Sequence, residues 1–430
     1  MGKIVVRPAI SIKGEITVPG DKSISHRAVM LGSLGDGRTE ITGILESEDT
    51  LRTIEAFRLM GVDIEKTDNA TLSILGRGLD GLEEPSDVID AGNSGTTARI
   101  LSGLLSGQRF FSVITGDASL RTRPMARVVE PLKMMGAKIW GREEGCLIPL
   151  SINGGGLRSV DYESSISSAQ VKSAILFAAL NADGTTVVKE PIKSRDHTER
   201  MLSAFGADIK VEGTRVTVVP GRRLSGQTIT IPGDISSAAF FIVASIILSD
   251  STLTIKNVGL NPTRTGIISL LKRMGAKIDI RNERDKGGEP VGDIIIRSGQ
   301  LKGIDIGAED IPWMIDEIPI LCIAASLAEG RTVIRGAEEL RVKESDRIAV
   351  MTEELTKLGI RIEEKRDGMV INGAKGFKGA SCDSHGDHRV AMALTIAGLK
   401  ANEESAIENS GCVDTSFPGF QDLLESIVNR

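Results

Sequence analysis

Basic residues gather where helices should begin. Gly20-Asp21-Lys22-Ser23-Ile24-Ser25-His26-Arg27 follows Pro19 and leads into an apolar run. Helix N-termini carry free N–H groups and partial positive charge, so Lys and Arg are unfavourable there unless an anion shares the site. At helical spacing Ser23 and Arg27 share one face, as do Lys22 and His26. A hydroxyl, a guanidinium and an ammonium at one helix start make a phosphate or carboxylate site; a solvated charged first turn is the plainer alternative. The segment is not a Walker P-loop, because the GxxxxGK[ST] spacing fails. Asn93-Ser94-Gly95-Thr96-Thr97 opens another helix, with side chains small enough for backbone amides to approach a ligand. Taken alone, it is equally an ordinary Ser/Thr cap.

The pattern continues along the chain. Asp117-Ala118-Ser119-Leu120-Arg121-Thr122-Arg123 precedes Pro124, which suits a first helical position. Ser167-Ser168-Ala169-Gln170 and Ser194-Arg195-Asp196-His197-Thr198 precede two more helices. Lys343-Glu344-Ser345-Asp346-Arg347 begins a helix with Lys343 and Arg347 one turn apart, and Asp387-His388-Arg389 begins another. Asp316 and Glu317 add acids among apolar neighbours. Cation-bearing helix starts in both halves predict one polyanionic ligand shared by two domains.

The elements that carry these residues recur. A helix, a Gly and a β-branched strand repeat around Gly61, Gly136, Gly206, Gly275 and Gly359, each placed where a helix end needs a left-handed residue. Residues 420–427 read as a sixth helix whose strand is missing. A second phrase follows each strand: Gly76-Arg-Gly-Leu, Gly154-Gly-Gly-Leu, Gly221-Arg-Arg-Leu and Gln300-Leu-Lys-Gly. Gly76, Gly78 and Gly81 match the dinucleotide pattern GxGxxG, but Pro85 and another strand follow where a helix must open; the repeat reads them as hairpin turns. Thr17-Val-Pro-Gly-Asp-Lys-Ser23 resembles Thr230-Ile-Pro-Gly-Asp-Ile-Ser236, so the chain is expected to cross between domains near 14–20 and 230–236. Residues 20–230 then form one domain and residues 1–19 with 231–430 the other. Each is an α/β domain of three similar units.

Bulk properties exclude several classes. The 430 residues exceed one ordinary core. With 52 Lys and Arg against 58 Asp and Glu, the net charge is −6, which argues against a general polyanion binder. One Tyr and two Trp leave little for nucleic-acid stacking. Cys146, Cys322, Cys382 and Cys412 are scattered and read as reduced cytosolic thiols. The charged first residues argue against a signal peptide, and Ala238 to Leu248 is too short to span a bilayer. A cytoplasmic, monomeric protein without membrane or nucleic-acid partners is expected.

Five phrases together carry a resemblance: residues 19–27, 93–97, 116–125, Arg341-Val-Lys-Glu-Ser-Asp-Arg347 and Asp387-His-Arg-Val-Ala-Met392. Over essentially the whole chain the sequence resembles the enolpyruvyl transferase family, on its shikimate 3-phosphate branch. The resemblance implies an α/β fold of two domains, each of three βαβαββ-like units, with helix N-termini facing the interdomain cleft. It implies transfer of the enolpyruvyl group of phosphoenolpyruvate to the 5-hydroxyl of shikimate 3-phosphate, in aromatic amino-acid biosynthesis. Lys22, Arg123, Arg347 and Arg389 would bind phosphoenolpyruvate, with Gly95 and Gln170 lining the same site. Lys22, Ser23, Arg27, Ser168, Ala169, Gln170, Arg195, Asp316 and Lys343 would hold shikimate 3-phosphate, which Thr96 would also touch. Asp316 would take the proton of the attacking hydroxyl, and Glu344, assisted by Lys22, would protonate the methylene carbon.

No cofactor or metal is implied. His385 and His388 with Asp383 and Asp387 could hold a metal, but the family phrase accounts for residues 387–389 better. Thr415 stands where many members carry Lys, and Ala169 where others carry Ser; both point to a divergent branch. Gly95 matches members open to the inhibitor glyphosate. The relative that uses UDP-N-acetylglucosamine carries a reactive Cys before the Arg-Pro phrase, which the loop Gly116 to Leu120 lacks, and Asn where Ser23 stands. A non-catalytic repeat scaffold is the alternative of another class.

Overall fold

The computed structural model describes residues 2–68 and 70–430, so Met1 and Asn69 lie outside it. The chain divides into two units, one of Gly20–Ile231 with Lys286–Glu289, the other of Met1–Pro19, Pro232–Asp285 and Pro290–Arg430.

Within the Gly20–Ile231 unit, three four-stranded sheets share one plan. A first strand runs parallel to a second, which pairs antiparallel with the fourth, and that with the third. Asp161–Glu163, Thr186–Lys189, Arg215–Val219 and Asp208–Glu212 show it in spatial order. Ile89–Asp90, Phe111–Thr115, Leu147–Asn153 and Lys138–Arg142 repeat it. In the remaining sheet the first place is filled from the far end of the unit, by Thr228–Thr230 alongside Asp36–Thr42. Each parallel pair needs a crossover, and helices supply it. Lys22–Leu34, Gly95–Gly107 and Ala169–Ala179 are the most buried of these helices, with the middle one packed on both others.

The other unit follows the same plan around the helices Ile235–Ile247, Ile318–Ser326 and His388–Leu399, which pack on one another. Every residue of Ile235–Ile247 is buried, so the long apolar run is core. Among the described residues no helix is long and apolar enough to cross a membrane. The last repeat departs from the expected form. Its helix Phe420–Glu425 does have a strand, Val428–Asn429, which pairs with the start of Ser11–Thr17. The vacant place in its sheet is taken by the chain's first strand, Lys3–Val6, antiparallel to Ser405–Glu408. Two residues are too short a strand for periodicity to reveal.

Gly61, Gly136, Gly206, Gly275 and Gly359 all have positive φ, from 80° to 100°, directly after a helix cap. A side chain at such a φ would crowd the following carbonyl, which is why Gly closes each helix. Gly76, Gly78 and Gly81 do not form a hairpin turn, since the strand ending at Arg77 is followed by Ile89–Asp90 in another sheet. A Cβ on Gly76 would lie 2.0 Å from the Gly35 carbonyl oxygen, and one on Gly154 would lie 2.1 Å from that of Gln108. These glycines let a strand end touch a helix C-terminus. Gly78 and Gly81 line a cavity of about 690 Å³ with Arg77, Arg222 and Arg223. No helix opens at it; the next element is the strand Ile89–Asp90.

Candidate active site

Lys22, Ser23, Arg27, Gly95, Arg123, Ser168, Ala169, Gln170 and Arg195 belong to the Gly20–Ile231 unit. Asp21 caps the helix Lys22–Leu34, its carboxylate accepting from the Ile24 amide at 2.9 Å. Lys22 is thus the first helical residue, with its ammonium 2.9 Å from the Asp49 carboxylate. One turn on, the Arg27 guanidinium is 4% exposed. It donates to Thr198 Oγ1 at 2.6 Å, Ser173 Oγ at 2.8 Å and the Ser23 carbonyl at 3.0 Å. Burial is the main reason its pKa is lowered to about 10, with the charge of Arg195 adding to the effect and Glu199 opposing it. His26 is fully buried, and burial, with Lys22 and Arg27 nearby, drives its pKa well below the usual value. It is therefore a neutral link, joined to Thr53 at 2.7 Å, which in turn meets Thr97 at 2.7 Å. These hydroxyls tie three helix starts together.

Ser94 caps Gly95–Gly107 and Ser168 caps Ala169–Ala179. Gln170 joins the two, its amide nitrogen donating to Thr96 Oγ1 at 3.2 Å and its oxygen accepting from Arg99 Nη1 at 2.7 Å. Arg123 is 6% exposed and donates to Asn93 Oδ1 at 2.5 Å and Ser119 Oγ at 3.1 Å. Pro124 is not the first helical residue. The helix begins at Ala126 after a 3₁₀ turn over Leu120–Thr122, so Arg123 sits in the loop between them, in extended backbone. Arg195 is half-buried and stands just before the helix His197–Ala204.

Asp316, Lys343, Glu344, Arg347 and Arg389 belong to the other unit. Asp316 lies in a 3₁₀ turn, its side chain 13% exposed. Four cations face its carboxylate: Arg347 at 3.6 Å, Lys343 at 3.8 Å, Arg389 at 3.9 Å and Arg264 at 4.0 Å. Arg347 is 1% exposed and meets Glu344 at 2.7 Å and Asp387 at 2.8 Å. Burial would lower the Arg347 pKa, but Asp387 and Glu344 raise it above the ordinary value. Asp387 is itself held below the usual carboxylate range, because Arg347 and hydrogen bonding outweigh its burial. It also caps His388–Leu399, accepting from the Arg389 amide at 2.9 Å. Lys343 and Arg347 are not one helical turn apart. The helix starts at Arg347 behind the Asp346 cap, and Lys343 is extended. An Asp cap satisfies the free amides better than Lys343 can, so the boundary falls later.

Neither His388 nor Asp387 joins a metal-like cluster. Among the described residues, only Glu353, Glu354 and His385 are so grouped. The Lys357 ammonium already occupies that group, 2.8 Å from Glu353 and 2.7 Å from Glu354. Thr415 donates to the Cys412 carbonyl at 2.7 Å within its own 3₁₀ turn.

Several residues of these networks were not singled out from sequence. Asp49 holds Lys22, Arg99 holds Gln170, and Arg264 faces Asp316. Arg99 left a trace: it is the one charged residue in the apolar helix Gly95–Gly107. The others sit in polar loops or capping turns where charge is unremarkable.

The arrangement can bind an anion in each unit and place carboxylates beside cations for proton transfer. Known proteins bear on which reaction this serves. The profile of EPSP synthase (3-phosphoshikimate 1-carboxyvinyltransferase) matches residues 6–424. A 3-phosphoshikimate 1-carboxyvinyltransferase of Citrifermentans bemidjiense is 55% identical over 430 residues, covering 100% of both chains. One of Geotalea uraniireducens is 56% identical over 428 residues, again covering 100% of both. The solved structure of EPSP synthase from Acinetobacter baumannii superposes with a TM-score of 0.89 at 48% identity, over 100% of this chain and 98% of that one. With its two α/β units of repeated βαβαββ form, the chain belongs to the EPSP synthase family.

Proposed function

We propose that this chain transfers the enolpyruvyl group of phosphoenolpyruvate to the 5-hydroxyl of shikimate 3-phosphate. Phosphate leaves and 5-enolpyruvylshikimate 3-phosphate forms, a step of aromatic amino-acid biosynthesis. The observation that carries this reading is identity above half, end to end, with 3-phosphoshikimate 1-carboxyvinyltransferases. The buried cations described above agree with it.

Shikimate 3-phosphate engages Lys22, Ser23, Arg27, Ser168, Ala169 through its backbone, Gln170 and Arg195, together with Asp316 and Lys343. Phosphoenolpyruvate engages Lys22, Gly95, Arg123, Gln170, Arg347 and Arg389. Protonation of its methylene carbon by Glu344, with Lys22 assisting, makes the neighbouring carbon electrophilic. The 5-hydroxyl adds there as Asp316 takes its proton. The tetrahedral adduct keeps its phosphate until a proton is lost from the methyl group that the first step formed, the carbon–carbon double bond returns and the C–O bond to phosphate breaks. Fixed guanidinium groups offset the charge on carboxylate and leaving phosphate without reorganising during the reaction. Asp316 has four cations within 4.0 Å, so a proton passing to it changes the field felt by all of them.

Phosphate release from phosphoenolpyruvate tests the reading directly. Release with shikimate 3-phosphate, and none with UDP-N-acetylglucosamine, is expected. Release only with the nucleotide sugar would overturn the acceptor, and release with neither would favour a scaffold.

Glyphosate is expected to inhibit, and Gly95→Ala to raise the inhibitory concentration by about tenfold or more. A Cβ at Gly95 would stand 3.2 Å from Arg99 Nη1 and 3.6 Å from Arg123 Nη1. The methyl therefore presses on the Arg99 guanidinium and fills the space up to that of Arg123, beside the proposed phosphoenolpyruvate site. Superimposed inhibition curves for the two proteins would contradict this.

A further inference from the structure

We infer that Thr198, with Ser173, positions Arg27 for an anionic group of shikimate 3-phosphate; the inference rests on the acceptor proposed above. A guanidinium has five N–H donors. Arg27 commits three, to Thr198 Oγ1, Ser173 Oγ and the Ser23 carbonyl. Each of these acceptors is neutral, so no contacting carboxylate cancels the charge, and two donors remain for an anion. Charge left in this way on a buried guanidinium is what a site for a carboxylate or phosphate needs.

The hydroxyl directions follow by elimination. Ser173 Oγ lies 2.5 Å from the Ala169 carbonyl, which can only accept, so Ser173 donates there. Its oxygen then accepts from Arg27 and from Thr198, whose hydroxyl is 2.7 Å away. The Thr198 hydroxyl accepts from Arg27 Nε and donates onward to Ser173. The chain Arg27, Thr198, Ser173, Ala169 is thus polarised in one direction and ends on a backbone carbonyl of the proposed acceptor site. Neither oxygen can turn without leaving a buried donor unmet.

Thr198 is held rigidly enough to serve. It lies between His197 and Glu199 in the first turn of His197–Ala204, where successive side chains point about 100° apart. All three are buried, at 2%, 1% and 3% exposure. His197 Nδ1 meets Glu289 Oε1 at 2.7 Å, and Glu199 meets Lys172 at 2.7 Å. Lys172 also binds Glu190 at 2.8 Å. The turn is fastened on either side of Thr198, and Thr198 passes that fixity to Arg27.

Thr198→Val keeps the shape and removes the hydroxyl. KM for shikimate 3-phosphate is expected to rise about tenfold, the effect of one charged donor left unmet, with KM for phosphoenolpyruvate within about twofold of wild type. Thr198→Ser restores the hydroxyl and is expected to recover most of the loss. Equal rises in both KM values, no rise, or a Thr198→Ser protein no better than Thr198→Val would overturn the inference. Should Thr198→Val fail to fold, Ser173→Ala carries the same test, and an unchanged KM for shikimate 3-phosphate there overturns it. Arg27→Ala separates the two levels. If it weakens shikimate 3-phosphate while Thr198→Val does not, the acceptor reading stands and the positioning role falls; if it leaves that substrate unaffected, both fall.

Discussion

Arg347→Met is expected to lower kcat/KM by about a thousandfold and to lower the melting temperature by several degrees. The activity loss follows from removing one fixed cation of the proposed phosphoenolpyruvate site. The stability loss follows from what Arg347 holds together. Its guanidinium is 1% exposed and lies against Asp387, which is fully buried, and Glu344. Deleting one partner of such a pair costs about 3–5 kcal/mol, because an uncompensated charge stays buried. In the wild type Asp387 is held below the usual carboxylate range. Its contribution is fully present above its unfolded pKa and is lost as pH falls through the lower native value. In Arg347→Met the strongest influence against burial is gone, leaving the amides of Arg389 and Val390, Ser345 and His388 to oppose it, so the pKa of Asp387 in the folded state rises. The penalty is then greatest at neutral pH and shrinks on acidification through the raised value. Thermal melts of both proteins at about pH 7.5 and about pH 5 should show the gap narrowing in acid. A gap that stays constant or widens would contradict the assignment of Asp387 as the charge at stake.

Asp316→Asn should lower kcat by about 10²–10⁴-fold while leaving both substrates bound. Asn keeps the side-chain shape but cannot take a proton from the attacking hydroxyl. Four cations surround this position at 3.6–4.0 Å, so losing its negative charge strengthens the local attraction for anions. KM for phosphoenolpyruvate should therefore stay level or fall while kcat collapses, the pattern of an interaction needed only in the transition state. Stopped-time phosphate release gives kcat, and the thermal shift caused by shikimate 3-phosphate shows that binding survives. A variant with kcat within about threefold of wild type would remove Asp316 from the proton path.

The two variants differ in a useful way. Arg347 serves both the fold and the site, so its loss moves stability and rate together. Asp316 is part of the same charge cluster but lies in a short 3₁₀ turn rather than between buried carboxylates. Its replacement should act mainly on rate.

The sequence by itself determined what depends on neighbours along the chain. Gly61, Gly136, Gly206, Gly275 and Gly359 were legible as helix terminators, because a left-handed residue after a helix is a local steric demand. The Ser94 cap was legible for the same reason, since a cap bonds amides two or three residues on. Tertiary structure decided the rest. Arg27 meets Thr198 and Ser173, which are 171 and 146 positions away. Arg347 reaches Asp387 across 40 positions, and Gln170 reaches Arg99 across 71. No spacing rule encodes such pairs, because they form only when packed repeats bring separate helix starts side by side. Gly76 was misread as a hairpin turn for that reason: the demand on it, as on Gly154, comes from a helix end packed against a strand. The last strand was missed because Val428–Asn429 is defined by its partner Ser11–Thr17, at the opposite end of the chain, rather than by any pattern of its own.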